Sequence, residues 1–428
     1  MRYVITGAGP AGVIAAETIR KLDENGEITL VGGENERPYS RMAIPYYITG
    51  KVGEEGTHLR RDAGHYDNEK IEFRQNTRVV SIDSESKSVE LDNGEKIEFD
   101  RLLLATGSRA VAPPIPGLDF PGVYPCWTLE DARKIKEIAK PDTSAVLIGA
   151  GFIGTIILDA LAKVGVNLTV VEAEDRICPR MMNLQGGEII KSWCENKGIR
   201  ILTSTMVKQV SQGSGKPLAV ELNSGETIEA DLVVTATGVT PIIDYLEGSG
   251  IETDVGILVN DHLQTNVPEI FAIGDVSQGP DFSGEGRSVH AIQPTAAEHA
   301  QVAARNMTGE NVTYRGSLIM NVVDTVNLVW YSFGQWEGVE GGDSAEFSEP
   351  ERSNYIRLEF EGEFLVGSIF VGNLEQIGVM RGLIQNRIPL GDLKADLLED
   401  PKKIVEVYLV QTDNGTAVPR MKPVTQAG

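Results

Sequence analysis

Twice along the chain a short β-rich run is followed at once by a Gly-x-Gly-x-x-Gly turn and then by an apolar-periodic helical stretch, and this repetition constrains the fold more than any other feature. In the first copy the run Arg2 to Thr6 leads into Gly7, Gly9, Pro10, Ala11 and Gly12, and the apolar spacing through Ile19 and Leu22 predicts a helix. In such a turn the first glycine allows a sharp reversal and the second lets a pyrophosphate approach the backbone. The third lets the helix pack on the strand with its N-terminus facing the anion. A second strand, Ile28 to Val31, then runs to Glu34, whose carboxylate is placed to hold an adenosine ribose.

The same order returns at Ala145 to Ile148, with Gly149, Gly151, Phe152, Ile153 and Gly154, a helix to Val164, a strand Leu168 to Val171, and Glu172 at its end. One such turn says little in a chain with 46 glycines among 428 residues. Two, each with strand, helix and acidic residue in register, imply two dinucleotides. A carboxylate at Glu172 accepts from a ribose 2′-hydroxyl and repels a 2′-phosphate, which predicts NADH over NADPH at the second site. The competing reading of Glu34 and Glu172 is a solvated strand end.

The 39 Lys and Arg against 62 Asp and Glu leave a net charge of −23, which disfavours a nucleic-acid partner. The length suggests about three domains. Only Cys126, Cys178 and Cys194 occur, without CxxC spacing, so neither a disulfide framework nor a zinc site is expected, and a reducing compartment is. His58, His65, His262, His290 and His299 show no metal-ligand spacing. The residues from Met1 to Ile5 run straight into the glycine turn without the zones of a secretion signal, so the cytoplasm is expected. The most apolar long window, Ala145 to Val166, is interrupted by glycines, Asp159 and Lys163, and no membrane span is expected.

Taken together, the repeats resemble those of the two-dinucleotide-binding flavoproteins, the pyridine-nucleotide disulfide oxidoreductases in the broad sense. The family's ATG segments look like Ala105-Thr106-Gly107 and Ala236-Thr237-Gly238, and its late flavin motif looks like the segment from Thr265 to Gly274-Asp275. The resemblance implies FAD at the first turn and NADH at the second. It also implies a ribitol contact from Asp275, an adenine contact from the Val79 backbone and an FAD contact from Arg41 in Arg37-Pro38-Tyr39-Ser40-Arg41. Independently, Pro294 opens a helix running to Met307. Its positive end suits the flavin N1/C2 region, and the competing reading is an ordinary packed helix.

The implied architecture is α/β: two Rossmann-like three-layer dinucleotide-binding domains, the NAD domain inserted in the FAD domain, plus a C-terminal α+β interface domain. The expected limits are 1–112 and 246–312 for the FAD domain, 113–245 for the NAD domain, 313–411 for the C-terminal domain and 412–428 for a loose tail. The prolines of Ala112-Pro113-Pro114-Ile115-Pro116-Gly117 mark the first junction. β-rich runs follow Tyr314, with a helix expected from Leu374 to Gln385. Between two of the runs lie Glu337, Glu340, Asp343, Glu346, Glu349 and Glu351, read as a solvated hairpin or, more sharply, as an acidic docking site for a redox partner.

Family members that reduce disulfides carry a CxxxxC pair, and no cysteine precedes Cys126 here. The single-cysteine branch places its thiol three residues before a segment like Pro45-Tyr46-Tyr47-Ile48-Thr49-Gly50, where this chain has Met42, and a thioether forms no thiolate. The ferredoxin-reductase-like branch would carry a lysine near the flavin, and the counterpart of that lysine here is Pro45 or Tyr46. The segment Leu365 to Gly372 resembles rubredoxin reductases, the flavin module of NADH nitrite reductases, and FAD subunits of multisubunit aldehyde and 2-oxoacid oxidoreductases. The resulting expectation is an FAD-dependent NAD(H) oxidoreductase exchanging electrons with an iron-sulfur or rubredoxin-type protein, as partner or subunit of a larger complex. The C-terminal domain offers a possible oligomer interface. The alternatives are a self-contained NADH oxidase reducing oxygen or a small acceptor, and a flavin-bearing interaction protein.

Overall fold

The computed structural model describes residues 1–284, 286–372 and 377–413. By its internal contacts the chain forms two compact units.

In the first unit a parallel sheet runs in the order Ile270–Ala272, Arg101–Leu104, Arg2–Thr6, Glu27–Gly32, Ile71–Gln75. Its inner strands Arg101–Leu104 and Arg2–Thr6 read as near-continuous apolar runs because both faces are covered. Tyr3, Ile5, Leu30, Leu102 and Leu104 are buried with Val13, Ala16 and Ile19 of the helix Pro10–Leu22. The same core takes in Ala300, Ala303 and Ala304 of the helix Gln293–Met307, whose small side chains let it lie against Pro10–Leu22. The strand Arg2–Thr6 has its chain successor on one side and a much later strand on the other. Its carboxyl end is therefore a topological switch point, where open α/β sheets bind ligands. An antiparallel sheet of Val79–Asp83, Ser88–Leu91 and Lys96–Glu98 completes this half.

The second unit repeats the plan. Its parallel strands run Arg200–Leu202, Asn167–Val171, Ser144–Ile148, Leu232–Thr235, again with the glycine-turn strand at the switch, and Val207–Gln212, Leu218–Leu222 and Thr227–Ala230 form the matching antiparallel sheet. The C-terminal sheet is antiparallel, ordered Met320–Thr325, Leu328–Gly334, Phe364–Val371, Asn354–Glu361, Asp343–Glu349. Tyr331 and Phe370 stack on it with ring centroids 5.1 Å apart, over a core that includes Met380, Leu383, Leu397 and Ile404 of the following helices.

This grouping differs from the expected limits in three places. Residues 318 onward join the second unit instead of standing apart, because side chains tie them to it. Asn183 Nδ2 donates to Tyr355 Oη at 2.6 Å, the Trp193 indole donates to the Val326 carbonyl at 3.1 Å, and Asp159 accepts from the Val326 N–H at 2.9 Å. The segment Tyr124–Glu137 joins the first unit. There Arg133 pairs with Glu36 and Glu54, and Lys136 lies 3.9 Å above the Tyr47 ring. The chain also returns to the first unit at Thr237 rather than 246, since Val239–Pro241 pairs with Ser108–Ala110. The proline crossover does coincide with a boundary, at Pro113/Pro114.

Within the acidic run, Asp343–Glu349 is a strand that forms the sheet's edge and makes a hairpin with Asn354–Glu361. Charged side chains on an edge strand discourage pairing with another chain. The helix expected from Leu374 is seen over Ile377–Gln385, its first residues lying outside the described ones, as does the tail beyond the helix Ile404–Asp413. Among the described residues no helix is long and apolar enough to cross a membrane, and no group of His, Cys, Asp and Glu is arranged to hold a metal ion.

Candidate functional site

The two glycine turns are built alike, atom for atom where it matters. Gly7 N–H donates to the Val31 carbonyl and Gly149 N–H to the Val171 carbonyl, both at 2.8 Å, which ties each turn to the neighbouring strand. Gly7 and Gly149 sit at φ of 112° and 99°, a region that strains any residue with a Cβ. A methyl group on Gly12 would overlap the Gly7 carbonyl oxygen, and one on Gly154 the Gly149 carbonyl oxygen. Around Gly9 and Gly151, by contrast, the space beyond Cα is empty within 4 Å. Each of these residues begins a helix with no side-chain cap and no acidic residue in the first turn. Each cradle is thus closed where helix meets strand and open where an anion would meet the helix N-terminus, and both fit a dinucleotide pyrophosphate.

In the first unit, Glu34 and Arg41 come together. Arg41 Nη2 donates to Glu34 Oε1 at 2.7 Å, and Tyr39 Oη donates to Glu34 Oε2 at 2.7 Å. Arg41 Nη1 reaches Tyr39 Oη at 2.9 Å and the Trp127 carbonyl at 2.7 Å, and the guanidinium lies 5.0 Å from the Trp127 ring centroid. The Asn76 N–H donates to the Glu34 carbonyl and the Thr77 N–H to that of Gly32, so the segment entering Val79 lies beside Glu34.

At the carboxyl end of Arg101–Leu104, the Ala105 N–H donates to the Thr6 carbonyl, and Ala105 sits against Gly7. Thr106 Oγ1 donates to the Ile242 carbonyl at 3.1 Å, and Gly107 takes φ of 71°. Gly238, at φ of 106°, accepts the Val111 N–H through its carbonyl. Gly274 and Asp275 form a short 3-10 turn after Ile270–Ala272. Burial pushes the Asp275 carboxyl above its ordinary range, opposed by a 2.7 Å hydrogen bond from Ser108 Oγ and by the Arg41 charge. Pro294 stands in the first turn of its helix, as expected, and Ser40 Oγ donates to Gln293 Oε1 at 2.6 Å there. Further along, buried His299 accepts from the Gly274 N–H through Nδ1 at 3.3 Å.

Glu172 is buried at the second turn, not a solvated strand end. Its Oε2 accepts from the Ala150 N–H at 2.6 Å and its Oε1 from the Glu174 N–H at 2.9 Å. The carboxylate is therefore held rigidly beside the turn, with lone pairs to spare for a ribose hydroxyl. Glu172→Gln is expected to lower the ratio of NADPH to NADH dissociation constants by about tenfold, the size of one charge-assisted hydrogen bond. Titration with both nucleotides checks this, and an unchanged ratio would place ribose selectivity elsewhere.

The redox positions carry no sulfur nucleophile. Met42 and Tyr46 are both about half exposed, and all three cysteines are buried and free. Burial raises the Cys178 and Cys194 thiols to about 12 and Cys126 further still, so none is a thiolate at neutral pH. Cys126 belongs to the first unit, although it falls within the expected NAD-domain limits 113–245. Sequence reasoning passed over Tyr39, Ser108 and Trp127. Tyr39 stands inside the Pro-Tyr-Ser-Arg segment that drew notice for its arginine, whereas nothing in the sequence joins Trp127 or Ser108 to it.

A doubled dinucleotide-binding α/β fold with two open pyrophosphate cradles defines a two-nucleotide oxidoreductase. The family described as pyridine nucleotide-disulphide oxidoreductase matches residues 1–306, and the chain belongs to it. It is an FAD-containing NAD(P)H oxidoreductase whose cofactors are FAD and NAD(H). The chain is 30% identical over 415 residues to the NADH-dependent phenylglyoxylate dehydrogenase subunit epsilon of Aromatoleum evansii, covering 96% of this chain and 98% of that one. It is 35% identical over 316 residues to rhodocoxin reductase of Rhodococcus erythropolis, covering 74% of each. A chain in the crystal structure of the covalent putidaredoxin reductase–putidaredoxin complex superposes with a TM-score of 0.86 at 25% identity, over 95% of this chain and 99% of that one.

Proposed function

We propose that this protein passes electrons between NADH and an iron-sulfur or rubredoxin-type protein, as the flavin subunit or partner of a larger redox complex, without a cysteine relay. The observation that carries the reading is the near end-to-end match to a subunit of an NADH-dependent dehydrogenase, joined to a methionine at the family's thiol position. The assignment of FAD to the first unit and NADH to the second, and the site roles named above, belong to this reading. So does a cytoplasmic location, which suits three free thiols.

When bound, FAD would supply two-electron exchange with NADH and one-electron exchange with a partner, which suits a one-electron acceptor. The chain's own part is to bind and orient. The Gly7–Gly12 turn and Arg41 would hold the FAD pyrophosphate, Glu34 the adenosine ribose, and Asp275 the ribitol chain. The Gly149–Gly154 turn and Glu172 would hold NADH. The helix Gln293–Met307, entered through Pro294, presents its positive end where negative charge gathers on reduction. At Met42 no side chain intervenes as a sulfur nucleophile, so electrons leave directly.

Anaerobic reduction by NADH, followed by rapid mixing with either oxygen or an oxidised rubredoxin or two-iron ferredoxin, tests the reading. Reoxidation by the iron protein is expected to be much the faster. Rapid, repeated turnover with oxygen and none with the iron proteins would overturn it in favour of an oxidase.

A further inference from the structure

The geometry points to Tyr39 as a positioning residue for FAD, acting through Arg41 and Glu34, with Trp127 as the brace behind it. The inference rests on the proposed FAD contacts of those two residues and names what fixes them in place. The Tyr39 hydroxyl is buried and saturated: it donates to Glu34 Oε2 at 2.7 Å and accepts from Arg41 Nη1 at 2.9 Å and from the Leu129 N–H at 3.1 Å. Burial pushes its ionisation far above the ordinary tyrosine range, so it stays a donor.

Arg41 is a long side chain with several rotamers to lose, and a guanidinium pre-set in one of them binds a pyrophosphate without that entropic cost. Here it is fixed on three sides. Glu34 takes Nη2, Tyr39 and the Trp127 carbonyl share Nη1, and the Trp127 ring lies under the guanidinium. Trp127 is itself anchored, its indole N–H donating to the Ser108 carbonyl at 2.8 Å, and Ser108 Oγ donates to Asp275. Three residues assigned to three parts of FAD, Glu34, Arg41 and Asp275, are thus joined by one network that runs through Tyr39, Trp127 and Ser108. It also explains why Tyr124–Glu137, which follows the proline crossover, folds back into the first unit.

A double-mutant cycle on FAD affinity tests this, with the apoprotein titrated by FAD and flavin fluorescence as the readout. Tyr39→Phe keeps the ring and removes the hydroxyl. It is expected to raise the FAD dissociation constant about tenfold to a hundredfold, the range for a hydrogen bond to a charged group. In an Arg41→Gln background the same change is expected to have a clearly smaller effect, because one of the two groups it positions is gone and only Glu34 is left. Additive losses, as a merely structural role would produce, overturn the inference, as does Tyr39→Phe binding FAD like the parent while Arg41→Gln does not. If Arg41→Gln binds FAD unchanged, the assigned Arg41 contact is what fails. Should Tyr39→Phe not fold, Trp127→Phe carries the same cycle. It keeps a ring beneath the guanidinium, loses only the indole N–H to Ser108, and is expected to couple to Arg41→Gln in the same way.

Discussion

Gly12→Val is expected to give a protein that purifies without flavin and does not regain it in excess FAD, yet still binds NADH. Gly154→Val is expected to do the reverse. At each position the added side chain meets a backbone carbonyl oxygen, that of Gly7 or of Gly149, which has no rotamer to turn aside. Gly7 itself lies in a tight place, since a Cβ there would overlap the Ala105 carbonyl oxygen. Overpacking of this kind costs typically 1–3 kcal/mol or more, and here it falls on the turn whose backbone must meet the pyrophosphate. Because the two cradles belong to units with separate cores, the losses should separate. Bound flavin is read from absorbance after gel filtration and NADH from protein fluorescence quenching, with far-ultraviolet circular dichroism confirming the fold. Full retention of FAD by Gly12→Val would overturn the assignment. So would the parallel loss of both ligands by a well-folded variant.

The repeat was readable from sequence because a phosphate-binding turn leaves little chemical choice. Gly12 and Gly154 have no alternative side chain, and the strands before them are apolar runs because both sheet faces are buried. The domain edges were less readable. The partners of Arg133 and Lys136 lie far earlier in the chain, and no local pattern announces that a helix after the crossover will turn back to them. The acidic run reads as a solvated hairpin, and Asp343–Glu349 needs apolar residues on one face only: Ala345, with Phe347 half-buried beside it, suffices for a strand at the sheet's edge. The Arg41 network was hidden because Tyr39, Ser108, Trp127 and Asp275 meet only in space.

Met42 and Tyr46 face solvent while polar organisation is concentrated on Glu34, Arg41 and Asp275. In the proposed reading that organisation serves to hold a cofactor rather than to react with it.

Acid should loosen this grip through His299, and the expected effect is large. The side chain is buried on the helix Gln293–Met307, edge-on to the Tyr314 ring at 4.6 Å, with Nδ1 accepting from the Gly274 N–H and Nε2 without a partner. Burial, and to a lesser extent the charge of His290, lower its pKa to about 3 from an ordinary 6.5. The folded state refuses a proton that the unfolded state accepts throughout that interval. The stability His299 confers is therefore whole above pH 6.5 and is lost as pH falls toward 3, at about 1.4 kcal/mol per pH unit, or on the order of 4–5 kcal/mol over the full range. Protonation would also remove the acceptor for Gly274, the residue before Asp275, so FAD release should accompany unfolding. His299→Gln keeps an acceptor and does not titrate. Urea midpoints followed by flavin fluorescence between pH 7 and 4 should fall more steeply in the parent than in this variant. Contributions from carboxylates such as Glu17 and Asp281, both held below their ordinary range by ion pairs and hydrogen bonds, are common to the two proteins and cancel in the difference. Parallel curves across that interval would mean that His299 takes up its proton without cost, and that the Gly274 contact is not what keeps it neutral.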